Sequence, residues 1–277
     1  MNFELLYKFQ SVNINSLSAL SNQDVWFANQ KSFNDPFEGI HKLEESCKDS
    51  EIINLGVTSI VESKGLSHSE ALEIVTGVFN EKPESFRKDM IDFAYEINQK
   101  LWEYAKACGV LSLSSDIPGD ERSHVCNMLM WSHYGDALRG FCLQFNGPEL
   151  YESLSELNQD SKFAWAKMDY DTNPRTIRLA SGADYNNFDY LKALQIKHEQ
   201  WLYECELRIF SNGVGLKRFS KEALRAVYIG EKMPLNEELL LIEIVERQYP
   251  NADIFKVKLE SDSFAIRIGR KRKKSLE

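Results

Sequence analysis

Apolar and polar residues alternate along much of this chain, and a period of two locates strands. Leu5-Leu6-Tyr7-Lys8-Phe9 predicts a first strand and Val25-Trp26-Phe27-Ala28 a second. Cys108 to Ser114 predicts another, and Arg139 to Phe145 a buried one. Phe163 to Tyr170 and Leu224 to Gly230 extend the set. Ile254–Leu259 and Phe264–Ile268 read as a hairpin turning at Ser261-Asp262-Ser263. Trp201 to Phe210 carries the sharpest alternation. Cys205, Leu207 and Ile209 fall on one face, and Glu204, Glu206 and Arg208 on the other. Phe188, Leu191, Leu194 and Ile196 predict a helix over residues 185–200 that leads into it.

Between residues 43 and 107 the period changes to that of a helix. Ile52, Ile53, Val57, Ile60 and Val61 make one stripe, and Ala71, Ile74, Val75 and Val78 a second. A third runs from Phe86 to Tyr104 after Pro83. Shorter helices are expected over 11–20, around Met128 to Tyr134 with a stop at Gly135, and over 236–247. With strands at both ends of the chain, the expectation is one α+β domain over 1–270. It is built on a mixed or antiparallel sheet with a helical insertion over 43–107.

Composition changes this picture little. The 277 residues are 43% hydrophobic and 27% charged, in the range of globular proteins. No run approaches the roughly 18 apolar residues of a membrane span, and the N-terminus lacks the pattern of a signal peptide. A cytoplasmic protein without a membrane partner is expected. The five cysteines are scattered, with no Cys-x-x-Cys pair, so neither a disulfide framework nor a structural zinc site is indicated. The net charge of −9 coexists with a basic end, Arg267 to Lys274. An acidic body argues against broad nucleic-acid binding. Residues 271–277 are expected to form a free basic tail.

Ser32-Phe33-Asn34-Asp35-Pro36-Phe37-Glu38-Gly39 is the most distinctive loop. Asn34 and Asp35 are expected to bond the local backbone, Pro36 to fix its own φ, and Phe33 and Phe37 to be buried as anchors. His133 with Asp136 and His124 raises a metal or general-base site, but one face of a short helix does not supply three ligands. Ser132 lacks a nucleophile elbow, and no phosphate-binding glycine loop occurs.

Four stretches in chain order resemble a bacterial family known only as domain of unknown function 2971. They are Leu6-Tyr7-Lys8-Phe9; Val25 to Ala28 with Phe33-Asn34-Asp35-Pro36-Phe37-Glu38; Met130-Trp131-Ser132-His133-Tyr134-Gly135 with Arg139 to Leu143; and Trp201 to Arg208. The resemblance spans roughly residues 5–230. A looser pattern is similar to the ADP-ribosyltransferase fold, a split β-sheet. Its cues here are Tyr7-Lys8, Ser112-Leu113-Ser114 and Glu204-Cys205-Glu206; the first-strand Arg or His usual in that fold is absent, with Lys8 in its place.

That similarity implies NAD as substrate. Glu206 then stabilises an oxocarbenium-like ribose, and Glu204 orients or deprotonates the acceptor. Lys8 meets the pyrophosphate, Tyr7 or Trp26 stacks on a ring, and Ser112, Ser114 and Arg208 complete the cleft. The expected activity is that of a transferase or NAD glycohydrolase, in a toxin or phage-defence setting, with a protein or nucleic-acid acceptor. The contrasting expectation is a non-catalytic module, in which Asn34-Asp35 and His133-Tyr134 hold a ligand or a partner protein.

Overall fold

A computed structural model describes residues 4–117, 119, 123–180 and 192–272. Its strands are β1 (Leu5–Gln10), β2 (Asp24–Asn29), β3 (His41–Glu44), β4 (Gly109–Ser115), β5 (Phe141–Asn146), β6 (Phe163–Lys167), β7 (Asp169–Asp171), β8 (Arg175–Arg178), β9 (Ile196–His198), β10 (Glu206–Ser211), β11 (Gly215–Arg218), β12 (Leu224–Ile229), β13 (Asp253–Leu259) and β14 (Ile266–Lys271). Its α-helices are α1 (Ile14–Ser21), α2 (Asp49–Lys64), α3 (His68–Glu81), α4 (Pro83–Ala107), α5 (Met128–His133), α6 (Gly147–Leu157) and α7 (Leu235–Gln248). The chain folds into two compact units. One comprises Met1–Phe33, Cys108–Tyr170 and Glu199–Glu277, the other Asn34–Ala107 and Asp171–His198.

The first unit is built on a ten-stranded mixed sheet in the order β11-β2-β4-β1-β5-β12-β13-β14, with β10 on β4 and β6 on β10. The β12–β13 pair is parallel and its other strand pairs antiparallel. Because β10 pairs with β4 along its whole length, β1 and β2 must share the opposite edge of β4. β1 takes its C-terminal end, with Tyr7 opposite Ser114, and β2 its N-terminal end, with Ala28 opposite Val110. The sheet therefore forks beside Leu111 to Leu113.

Each face of this sheet has its own core. Leu6, Leu111, Leu113, Leu143, Leu207, Ile209 and Val227 pack with Leu20 of α1, Leu150 and Leu154 of α6, and Leu241 and Val245 of α7. The other face buries Tyr7, Phe9, Cys142, Ala226 and Tyr228 against Val125, Met130, Trp131 and Leu138. The indole N–H of Trp131 donates to the Val125 carbonyl at 2.7 Å, so the ring is buried without an orphaned donor.

The second unit holds α2, α3 and α4 with the parallel pair β3–β8. Ile52, Leu55, Ala94 and Leu179 form one of its cores and Val57, Ala71 and Val75 another. Ser67 and Glu70 close a capping box on α3, and Gly65 ends α2 in the left-handed region at φ 66°. Residues 171–198 belong to this unit, a grouping the sequence pattern did not suggest.

Four expectations need correcting. Trp201 to Phe210 is not one strand: Glu199–Glu204 is a 3-10 helix, Cys205 sits at φ 43°, and β10 begins at Glu206. Of the helix expected over 185–200, residues 185–191 lie outside the described residues, and Ile196–His198 within the rest is strand. Phe37 is 68% exposed and Phe33 half-buried, so the Phe pair does not pin the loop. Asp35 is buried, accepting from the Phe37 N–H at 2.9 Å. The basic end is not free from Lys271. That residue pairs with Phe255 and Asp253, and the Arg272 N–H donates to the Ile254 carbonyl.

Candidate functional site

The kink at Cys205 decides how the two glutamates are presented. A positive φ at a non-glycine residue is costly, and here it separates a 3-10 helix from a strand. The strand side carries Glu206, opposite Ser114 of β4, which in turn stands opposite Tyr7 of β1. Directly opposed residues share a sheet face, so Tyr7, Ser114 and Glu206 form one row across three neighbouring strands. Arg208 and Ser112 form the next row.

The row is buried. Glu206 is 3% exposed and Arg208 1%. The guanidinium grips the carboxylate at two points, Nε to Oε1 at 2.8 Å and Nη2 to Oε2 at 3.2 Å. On its other side Arg208 lies over the Phe33 ring, 5.0 Å from the centroid. The Glu206 backbone N–H donates to the Tyr170 hydroxyl at 2.8 Å. A solvated polar face, the ordinary outcome for such alternation, is not what β10 presents.

Tyr7 anchors the other end of the row. Its hydroxyl donates to Asp116 Oδ2 at 3.1 Å and accepts from Ser123 Oγ at 3.1 Å and Gln144 Nε2 at 3.2 Å. Burial pushes this phenol up to about 12, although the Ser123 and Gln144 donors pull it back. Lys8, its neighbour, belongs by alternation to the opposite face. Its Nζ reaches into the fork and donates to the Ser112 carbonyl at 3.3 Å.

Glu204 occupies the helical side of the kink and is equally buried. The Tyr134 hydroxyl donates to its carboxylate. Burial and then the Glu204 charge push the Tyr134 phenol far up. Next to it His133 Nδ1 and the Tyr203 hydroxyl are hydrogen-bonded at 2.6 Å. The His133, Trp201 and Tyr203 rings stand 5.7–6.2 Å apart, centroid to centroid. Trp201 and Tyr203 are half-buried and His133 exposed, so this aromatic group reaches the surface. Asn127 fastens the helix entrance by donating to the Tyr203 carbonyl at 2.9 Å.

The turn that follows α5 is strained: Asp136, Ala137 and Leu138 have φ of 47°, 50° and 71°. Gly230 admits it, since a Cβ there would lie 2.2 Å from the Leu138 carbonyl oxygen.

The predicted site residues thus separate. Glu206, Glu204, Tyr7, Ser112, Ser114, Arg208, His133 and Tyr134 all belong to the first unit and gather around the row and the kink. Trp26 is 53% exposed, with Leu216 of the edge strand β11 as its cross-strand neighbour. Asn34 and Asp35 belong to the second unit. Tyr170, Tyr203, Asp116, Ser123 and Gln144 were missed. The signal for Tyr203 was present, an aromatic residue beside Glu204 and two from Trp201.

Among the described residues no three His, Cys, Asp or Glu side chains cluster to hold a metal, and no helix is long and apolar enough to cross a membrane. No curated protein and no solved structure matches this chain. The likeness to the ADP-ribosyltransferase fold has no match behind it. One family model does match, described as "Protein of unknown function (DUF2971)", over residues 130–209, from the helix carrying Trp131 into β10, and over those residues it supports the resemblance to the family of domain of unknown function 2971.

Proposed function

We propose that this protein acts on the nicotinamide–ribose bond of NAD, as an ADP-ribosyltransferase-like transferase or a glycohydrolase. The supporting observation is the row Tyr7–Ser114–Glu206, which lines up all three sequence cues on adjacent strands beside a fork in the sheet. In this reading the Glu206 carboxylate, already fixed by Arg208, faces the ribosyl cation as the glycosidic bond lengthens. Preorganisation is what makes such a group effective, because the donor fork of Arg208 fixes the carboxylate before substrate arrives. Glu204, held by Tyr134, serves the acceptor hydroxyl or water. The surface group of Trp201, Tyr203 and His133 offers ring faces for the nicotinamide or adenine. NAD must open the row to reach Glu206, so binding has a conformational step.

A second reading is favoured by one specific observation. Both carboxylates already have strong donors, Glu206 from Arg208 and Glu204 from Tyr134. A closed polar core of this kind also suits a non-catalytic module that recognises a ligand or protein through its aromatic surface. The two readings diverge when purified protein is incubated with NAD, with and without a protein or nucleic-acid pool, and free nicotinamide is quantified. The enzyme reading expects release, and expects Glu204→Gln to impair transfer more than simple hydrolysis. No release with any acceptor, together with no NAD-dependent shift in melting, contradicts it and leaves the module.

A further inference from the structure

A cavity of about 230 Å3 opens in the first unit beside α5, and the chemistry proposed above makes no use of it. Ile117, Met128, Leu129 and Phe264 give it apolar walls, while Ser123, His124, Cys126 and Asn127 bring polar atoms. Met128 and Leu129 are exposed, and Phe264, between β13 and β14, is wholly so. A large apolar side chain left in water gains by closing over an apolar ligand. His124 lies at the other extreme, 1% exposed. Tyr7 and Phe9 pack on its ring, with centroids 6.0 and 6.1 Å away. Among the described residues neither of its ring nitrogens has a hydrogen-bond partner. Burying a polar group without a partner is costly, and native structures leave few of them. Apolar walls around a small number of polar groups are the usual make-up of a small-molecule site.

We propose that this cavity binds a small neutral phenol, whose hydroxyl supplies the hydrogen-bond partner that His124 lacks. Size sets the first limit: a cavity of about 150 Å3 holds benzene, so about 230 Å3 admits one ring with a short substituent. Charge sets the second. No Lys, Arg, Asp or Glu stands among the described lining residues, so a charged ligand would lose its hydration without a counter-ion. Burial also keeps the imidazole neutral, lowering it to about 4 against the pull of Asp116. A neutral imidazole has one donor and one acceptor nitrogen, and a hydroxyl can serve either. The other polar groups are already engaged. Ser123 Oγ donates to the Tyr7 hydroxyl, and Asn127 donates to the Tyr203 carbonyl and accepts from the Leu129 N–H. The Met128 thioether and the Phe264 ring favour an aromatic ligand over an aliphatic alcohol. The site stands on the cavity and is independent of any action on NAD.

The test is calorimetric titration of the full chain with para-cresol, para-xylene and para-toluate. Para-cresol should bind saturably, and about 10-fold more tightly than para-xylene, its isostere without the hydroxyl. Para-toluate should also bind about 10-fold or more weakly than para-cresol, because its charge meets no cation. His124→Phe should abolish the preference for cresol over xylene. Phe264→Ala, at a position too exposed to endanger folding, should weaken both ligands by about 3-fold or more. That variant and the wild-type ranking hold the test should the His124 variant fail to fold. Absence of saturable para-cresol binding overturns the proposal, as does equal affinity for cresol and either of the other two. So does a cresol preference that survives in His124→Phe, or binding unchanged in Phe264→Ala. Phenol binding and nicotinamide release are separate readouts, so the failure of one leaves the other standing.

Discussion

The two faces of the central sheet are made by alternate residues of the same strands, yet they solve different problems. On one face Leu113 stands opposite Leu207 and Leu111 opposite Ile209, and these pairs bury hydrocarbon. One residue along, Tyr7, Ser114 and Glu206 bury a phenol, a hydroxyl and a carboxylate. Apolar burial is worth about 25 cal/mol per Å2 without demanding any geometry. Burying the polar row loses hydration that only well-placed partners return, which Arg208, Asp116, Gln144 and Ser123 supply. A Leu-rich row would serve stability equally well, so the polar face is where a functional demand is visible.

Breaking the polar face should produce the largest effect. Arg208→Met removes the partner of a buried carboxylate, and denaturant unfolding should show a loss of about 3–5 kcal/mol. Adding Glu206→Leu should restore most of it, because a hydrophobic pair then replaces the ionic one. A double variant as unstable as the single would show that the row is held by something other than its charges.

A somewhat smaller effect should come from His124, buried on the polar side with no partner for either ring nitrogen among the described residues. It packs on Tyr7 and Phe9, with ring centroids 6.0 and 6.1 Å away. Burial lowers its pKa to about 4, Asp116 opposing. Between the ordinary value near 6.5 and 4 the unfolded chain binds the extra proton, so stability is complete above 6.5 and falls as the pH drops towards 4. The loss should reach about 3 kcal/mol. Urea midpoints measured from pH 7.5 to 4 should fall accordingly, and His124→Phe should flatten that slope. An unchanged slope removes His124 from the account.

The smallest effect sharpens the contrast with the sheet's edge. Trp26→Thr at an exposed strand position should change stability by no more than about 0.5 kcal/mol. A melting curve displaced by several degrees would mean that the Trp26 face is covered in solution.

Much of this was legible in the chain. Strands at Leu5, Gly109, Phe141 and Leu224 follow from a period of two, and the three helices between 49 and 107 from a period of 3.6. The Glu204/Glu206 pair stands out for the same reason. What sequence hid was tertiary. Cys205 does not announce a left-handed φ, so a ten-residue alternation reads as one strand. Tyr134 and Glu204 are 70 residues apart, and nothing local predicts their hydrogen bond. The burial of Glu206 depends on β10 running between β4 and β6, which cover both of its edges, and on Tyr170. Phe37 fails for the converse reason: an aromatic residue beside a turn is no guarantee of a core to enter.

The central claim is that Glu206 acts on a ribosyl cation. The most direct measurement is the rate of nicotinamide release from NAD by the wild-type protein and by Glu206→Gln, each first shown to be folded. Because the charge matters in the transition state, the Gln variant should turn over on the order of 100-fold more slowly or worse, with NAD affinity little changed. Equal rates from the two proteins, or no release from either, would contradict it.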